Sequence, residues 1–139
     1  MKLIDANMVI YAVGLDHPLR EPSLKIIEHS LENTDGYAID AETIQEILYV
    51  FDYRHQKKFG IEIAEKLLGM FGSVVPVTTS EVSLAIHLFE RYPRLQSRDA
   101  IHAAVAIVNG MDGIISADKA FDGIEGLRRF NPLEVASSL

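Results

Sequence analysis

The sequence predicts an α/β fold of three layers: a central, mostly parallel sheet with helices on both faces. Two observations predict it. Short runs such as those in MKLID, VVPV and GIIS alternate with longer segments of helical period. Those runs are nearly all apolar, as expected of strands covered on both sides. Crossovers between such strands are right-handed. The 139 residues, 48% of them hydrophobic, suffice for one domain with a single core. No linker, repeat or low-complexity tract divides 1–139.

Taken in order, residues 2–5 read as the first strand and 7–13 as a short helix, broken at Gly14 and by the Asp16-His17-Pro18 turn. Residues 21–32 read as a helix with Leu24, Ile27 and Leu31 at helical spacing, stopped by Asn33-Thr34-Asp35-Gly36. A second short strand spans 37–40. The helix at 41–54 carries an apolar stripe of Ile44, Ile47, Leu48 and Phe51, and the helix at 61–71 one of Ile61, Ala64, Leu67, Leu68 and Phe71. Residues 73–77 read as a strand that Pro76 confines to an edge or to the strand's end. Helices follow at 80–92 and at 98–109, the second stopped at Gly110. A strand at 113–116, a turn entering a short helix at 118–122, and a last strand at 127–130 before Pro132 complete the chain.

Composition narrows the chemistry. The absence of cysteine excludes disulfides, thiol catalysis and zinc–thiolate sites. No apolar run reaches the roughly 18–20 residues of a membrane span, and the start lacks the basic flank and long apolar segment of a signal peptide. The expectation is a cytoplasmic protein with no membrane partner. Acids outnumber bases 20 to 13, for a net charge of −7. That balance argues against a polyanionic partner unless carboxylates converge on a metal, whose charge inverts the local field. Basic residues cluster at Arg54/Lys57/Lys58, Arg91/Arg94/Arg98 and Arg128/Arg129; such clusters are more often solvated surface.

The acids themselves are placed suggestively. In parallel sheets, ligands bind beyond the carboxyl ends of the strands, near a switch in strand order. Asp5 closes the first strand, Asp118 follows the 113–116 strand by two residues with Asp122 one turn later, and Asp99 opens the helix in SRDAIHAAVAIV. Helix capping explains each of Asp5, Asp99 and Asp118 equally well when taken alone. Glu46, mid-helix in TIQEILYV, has no such explanation. At about 100° per residue it lies nearly opposite the apolar stripe, on the side of Glu42, Tyr49, Val50 and Tyr53. It is either an exposed surface residue or part of a site, and Tyr49 and Tyr53 are either a contact surface or core. Glu42 and Glu46, four apart, repel each other unless a cation lies near. Strand-end acids gathered at one edge repel and their pKa values rise. A hard divalent cation, Mg²⁺ or Mn²⁺, resolves the conflict and suits phosphate chemistry.

Four stretches in this order, DANMVIYA, IQEILYV, RDAIHAAVAI and IISADKAFDGI, resemble those of PIN-domain ribonucleases, in particular the VapC-like toxin group, and together cover essentially the whole chain. The resemblance implies a PIN-like sheet flanked by helices. It implies an acidic metal site of Asp5, Glu46, Asp99 and Asp118 with Asp122 as an outer or additional acid. It further implies Mg²⁺- or Mn²⁺-dependent endonucleolytic hydrolysis of single-stranded or structured RNA by an activated water, leaving 5′-phosphate and 3′-hydroxyl ends. A homodimer and a small antitoxin partner whose tail occupies the site follow from the same resemblance.

The match has one departure. Ala6 stands where PIN domains often carry Ser or Thr after the first Asp. Asn7 is either a polar contact to the site or an early-helix cap, and Ser116 matches a hydroxyl common at its place. His102, one turn after Asp99, either contacts phosphate or tunes Asp99, or is packed structurally, the commoner role. Arg98 and Lys119 are either RNA-backbone contacts or ordinary surface. A haloacid-dehalogenase-like phosphatase needs Asp-x-Asp after the first strand, and Asn7 stands at the second of those places. A phosphorylation receiver needs an acceptor Asp after a middle strand, and VVPV is followed by Thr78 and Thr79. The alternative of another class is a catalytically silent PIN-like module that binds RNA or protein; Ala6 leaves it open, while the four acids favour the enzyme.

Overall fold

The opening strand is central rather than peripheral. In the computed structural model, which describes residues 1–72 and 74–139, β1 (Lys2–Ile4) pairs in parallel with β2 (Tyr37–Ala38) on one side and β3 (Gly113–Ile115) on the other. β4 (Arg129–Phe130) pairs in parallel with β3, giving the order β2-β1-β3-β4. Leu3 lies opposite Ala38 and Ile114, and Ile4 opposite Ile115. The chain moves from β1 to β2 and later returns to β3 on β1's other side. Strand order therefore switches between β1 and β3, and a crevice is expected beyond their carboxyl ends. Gly113 opens β3 because a Cβ there would stand 2.1 Å from the Arg128 carbonyl oxygen.

The strands are short and apolar because both faces are covered. Leu3 and Ile114 pack with α5 (Thr79–Arg91) and α6 (Ser97–Val108). Ile4 and Ile115, one residue on and so facing the opposite way, pack with α1 (Ala6–Val13), α2 (Arg20–Glu32), α3 (Ala41–Tyr53), α4 (Lys57–Met70) and α7 (Pro132–Ser137). The result is the three-layer α/β/α arrangement. Ala100, Ala103, Ala104 and Ala106 fill the buried side of α6; small side chains let that helix lie close to the sheet. No helix among the described residues is long and apolar enough to cross a membrane.

Several sequence expectations shift. The expected strand at 73–77 reduces to one parallel bridge between Val75 and Asp40, with Val75 N–H donating to the Ile39 carbonyl and Ala41 N–H to the Val75 carbonyl, each at 2.9 Å. Pro76 supplies no donor to continue it, and Ser73 lies outside the described residues. In α2 the buried line is Ser23, Ile26 and Ser30, while Leu24 faces solvent and Ile27 and Leu31 only flank the core. The two serines hide from a hydropathy reading: Ser30 Oγ donates to the Ile27 carbonyl at 2.6 Å, and Ser23 Oγ lies against Met8 Sδ. In α3, Leu48 of the expected stripe is exposed, as are Tyr49 and Tyr53. The α7 helix was not expected. Pro132 marked only a stop, yet Pro suits a helix's first turn, and Asn131 caps it by accepting from Leu133 N–H at 3.0 Å.

The α4 helix begins at Lys57, four residues before the expected start, and runs through Gly60. That glycine allows contact with α3: a Cβ on it would lie 2.8 Å from Phe51 Cβ. Gly69, in the same helix, has nothing within 4 Å of such a Cβ. Gly60→Ala is expected to lower unfolding free energy by about 1–3 kcal/mol through overpacking. Gly69→Ala is expected to raise it by about 0.5–1 kcal/mol through chain entropy alone. Urea unfolding of the two variants checks both signs.

Candidate functional site

Asp5 does not cap its helix. Its backbone occupies the N-cap position of α1 with φ −66° and ψ 145°, but its side chain makes no capping hydrogen bond. The β1–β3 pairing continues one step past the strands, with Asp5 N–H donating to the Ile115 carbonyl at 3.1 Å. This brings the next residues, Asp5 and Ser116, together. Ser116 Oγ donates to Asp5 Oδ2 at 2.6 Å and accepts from Asp118 N–H at 3.0 Å. One buried hydroxyl thus ties two of the expected acids to one place. Asp118, by contrast, does cap: its Oδ1 accepts from Ala120 N–H at 2.9 Å, opening a 3₁₀ turn at Lys119–Phe121.

Glu46 reaches the same edge from α3 and is buried. Its Oε1 accepts from Arg98 Nε at 2.8 Å, and its Oε2 faces His102 Nε2 at 3.1 Å. Arg98 and His102 therefore supply the cations that the Glu42/Glu46 spacing called for. Glu42, half-buried beside them, has its pKa raised chiefly by burial; Asp40 and Glu46 add to the effect, while His102 and Arg98 oppose it. Tyr49 and Tyr53 share the helix but point to solvent, so they are surface and not core.

His102 occupies the centre and has no exposed surface. Its Nδ1 lies 2.7 Å from Asp40 Oδ2, and its Nε2 lies 3.9 Å from Asp5 Oδ1 as well as near Glu46. Asp40 was not among the residues picked out from the sequence. It ends the segment after β2, is fully buried, and its other oxygen accepts from Thr43 N–H at 2.9 Å as the N-cap of α3. The signal was present: Asp40, like Asp5, is an acid just past a strand.

Asp99 lies buried in the first turn of α6. Burial raises its pKa, Asp118 raises it further, and His102, Arg98 and a backbone hydrogen bond from Gln96 oppose the shift. Asn7 is half-buried in the first turn of α1, with no side-chain hydrogen bond among the described residues. Lys119 is exposed. Asp122 is held apart from this crowd. Arg129 Nε and Nη2 donate to its two oxygens at 2.7 and 3.2 Å, the same guanidinium donates to the Ser116 carbonyl at 3.0 Å, and this pairing lowers its pKa.

Five carboxylates, from Asp5, Asp40, Glu46, Asp99 and Asp118, thus share a small volume with two cations, Arg98 and His102. Burial pushes Asp5 up to about 6; Glu46 and Asp99 push the same way, against His102 and the Ser116 hydrogen bond. Burial opposes a charge on His102, yet Asp40, Glu46 and Asp5 together hold its pKa well above the usual value. Negative charge remains in excess. One ligand atom each from Asp5, Glu46 and His102 lie within 4.8 Å of one another. Oxygen donors with at most one imidazole, and no thiolate, suit a hard divalent cation; the donor set therefore fits the metal that the sequence implied.

Comparison with known proteins agrees with this fold. The family profile described as PIN domain matches residues 2–127. Ribonuclease VapC23 of Mycobacterium tuberculosis is 37% identical over 124 residues, covering 88% of this chain and 93% of that protein. Among solved structures, FitAcB from Neisseria gonorrhoeae superposes with a TM-score of 0.75 at 17% identity, covering 96% of this chain and 99% of that one. A toxin-antitoxin complex from Klebsiella pneumoniae gives 0.68 at 20% identity, covering 95% and 98%.

The raised Asp5 pKa has a signed consequence for the metal-free protein. Asp5 binds its proton more tightly folded than unfolded, so its contribution to stability is complete below about pH 4 and is lost as pH rises through about 6. A shift of this size is worth roughly 3 kcal/mol. Wild type minus Asp5→Asn unfolding free energy, measured in urea with chelator from pH 4 to 7, is expected to fall by that order. A flat difference would contradict the crowding.

Proposed function

Since the chain belongs to the PIN-domain family, we propose that it is an endoribonuclease that hydrolyses phosphodiester bonds of single-stranded RNA with Mg²⁺ or Mn²⁺. In this reading it is the toxin of a toxin–antitoxin pair. The observation that carries the proposal is the convergence of Asp5, Glu46, Asp99 and Asp118, from β1, α3, α6 and the loop after β3, at one sheet edge. The ribonuclease name of the 37%-identical relative and the toxin-antitoxin assembly of a structural neighbour support it.

In this reading the four acids hold the cation, which when bound lowers the pKa of water and offsets phosphate charge. Ser116 orients Asp5, and Arg98 holds one oxygen of Glu46. Arg98 is half-exposed and Lys119 exposed, so both are available to steer an RNA backbone toward the edge. The net charge of −7 ceases to argue against RNA once cations occupy its most acidic region. A small antitoxin protein and a second copy of the chain are the proposed partners, with the exposed Tyr49 and Tyr53 as candidate contact points.

Cleavage of single-stranded RNA by purified wild type in Mn²⁺ tests the proposal. Asp5→Asn and Asp99→Asn are each expected to lower the rate by roughly a hundredfold or more. Mn²⁺ at about 100 times its dissociation constant is expected to stabilise wild type by about 2.7 kcal/mol and to stabilise each of the two variants far less at the same concentration. Equal cleavage by wild type and variants would assign the activity to a contaminant. No cleavage over varied RNAs and metals would leave the binding module.

A further inference from the structure

The family reading concerns four acids; two buried groups beside them remain without a role. We propose that Asp40 and His102 form a positioning pair for Glu46: Asp40 fixes the imidazole, and the imidazole fixes the carboxylate that faces the cation. This rests on the reading of Asp5, Glu46, Asp99 and Asp118 as the acids that hold a divalent ion.

Hydrogen-bond chemistry is the first support. Ionised carboxylates only accept. With Asp40 Oδ2 2.7 Å from Nδ1 and Glu46 Oε2 3.1 Å from Nε2, each ring nitrogen faces a carboxylate oxygen. Asp5 Oδ1, at 3.9 Å from Nε2, is beyond hydrogen-bond distance, so the ring is directed at Glu46. Rigidity is the second. Neither Asp40 nor His102 has any exposed surface. Asp40 divides its oxygens, Oδ1 to Thr43 N–H and Oδ2 to His102, while its backbone is bridged to Val75. The order of the sheet edge thus passes through Asp40 and His102 to a long side chain that would otherwise sample several rotamers. Arg98 Nε holds the other Glu46 oxygen, and each oxygen retains a lone pair for a cation. Outer partners of this kind typically change metal affinity 10–100-fold when removed.

The test separates positioning from filling space. Asp40→Ser keeps a good N-cap for α3 but is too short to hold the ring; His102→Leu keeps bulk without donors; His102→Gln restores an N–H toward Glu46. Mn²⁺ binding to the full chain is measured by electron paramagnetic resonance, with melting curves as the check on folding. Asp40→Ser and His102→Leu are expected to bind Mn²⁺ about 10–100-fold more weakly than wild type, and His102→Gln to recover most of the loss. RNA cleavage should lose kcat with KM little changed.

Should His102→Leu not fold, the Asp40→Ser and His102→Gln pair carries the comparison. Folded variants that bind Mn²⁺ like wild type would overturn the inference, as would a Gln variant no better than Leu. An electron spin echo modulation from an imidazole nitrogen bound directly to Mn²⁺ would overturn it too, by making His102 a ligand. These outcomes leave the metal reading standing. A wild type that binds no Mn²⁺, or Asp5→Asn and Asp99→Asn variants that bind it as tightly, would sink that reading and this one together.

Discussion

Parallel pairing of β1 with β3 is the constraint from which the site follows. It carries the backbone of Asp5 alongside Ile115, so the side chains just past both strands must share the crevice between them. Asp5 is the second residue after Leu3 and follows Ile4 directly, inside two packed layers. Its carboxylate is almost wholly withdrawn from solvent. Desolvating a charge is expensive unless it is paired and hydrogen-bonded, and the neighbouring residues are arranged around that cost. Ser116 donates to Asp5, His102 stands under it, and Arg98 and His102 divide the oxygens of Glu46.

Compensation stops short of neutrality. A fully paired cluster would be a rigid structural network with no electrostatic demand for a ligand. Here the acids outnumber the local cations, and both Asp5 and Asp99 are held above their ordinary pKa. The strain is localised at the edge because the layers beneath are tight and apolar. The β4 strand contributes as well: Arg129 braces the loop after β3 through the Ser116 carbonyl and Asp122. Asp122 thereby serves the loop's shape through its own guanidinium partner.

The alternation of strands and helices was legible because burial on both faces leaves an unambiguous apolar run in β1 and β3 and a clear helical period in α6. Element ends were legible where glycine or proline marks them, as at Gly110 and Pro132. Legibility failed where polar atoms are satisfied locally. The buried face of α2 is a Ser-Ile-Ser line, whose serines hydropathy assigns to the outside. Gly60 sits inside α4 because of a contact with Phe51, a residue on another helix. Val75 pairs for one residue only, since the proline after it offers no donor.

By itself, the sequence determined the layer architecture, the parallel sheet and the strand-end placement of Asp5 and Asp118, because these depend on local periodicity and on a general rule for where parallel sheets open. Only tertiary structure decided which acids become interdependent. Glu46 is 41 residues from Asp5 and 52 from Arg98 in the chain, and nothing in its helix says that α6 will cross above it. Asp40 reads as the end of a short strand, and His102 as a packed histidine or a group that contacts phosphate or tunes Asp99, until folding sets the two 2.7 Å apart. Electrostatic coupling depends on distance through space and on the exclusion of water, and neither is written in the order of residues.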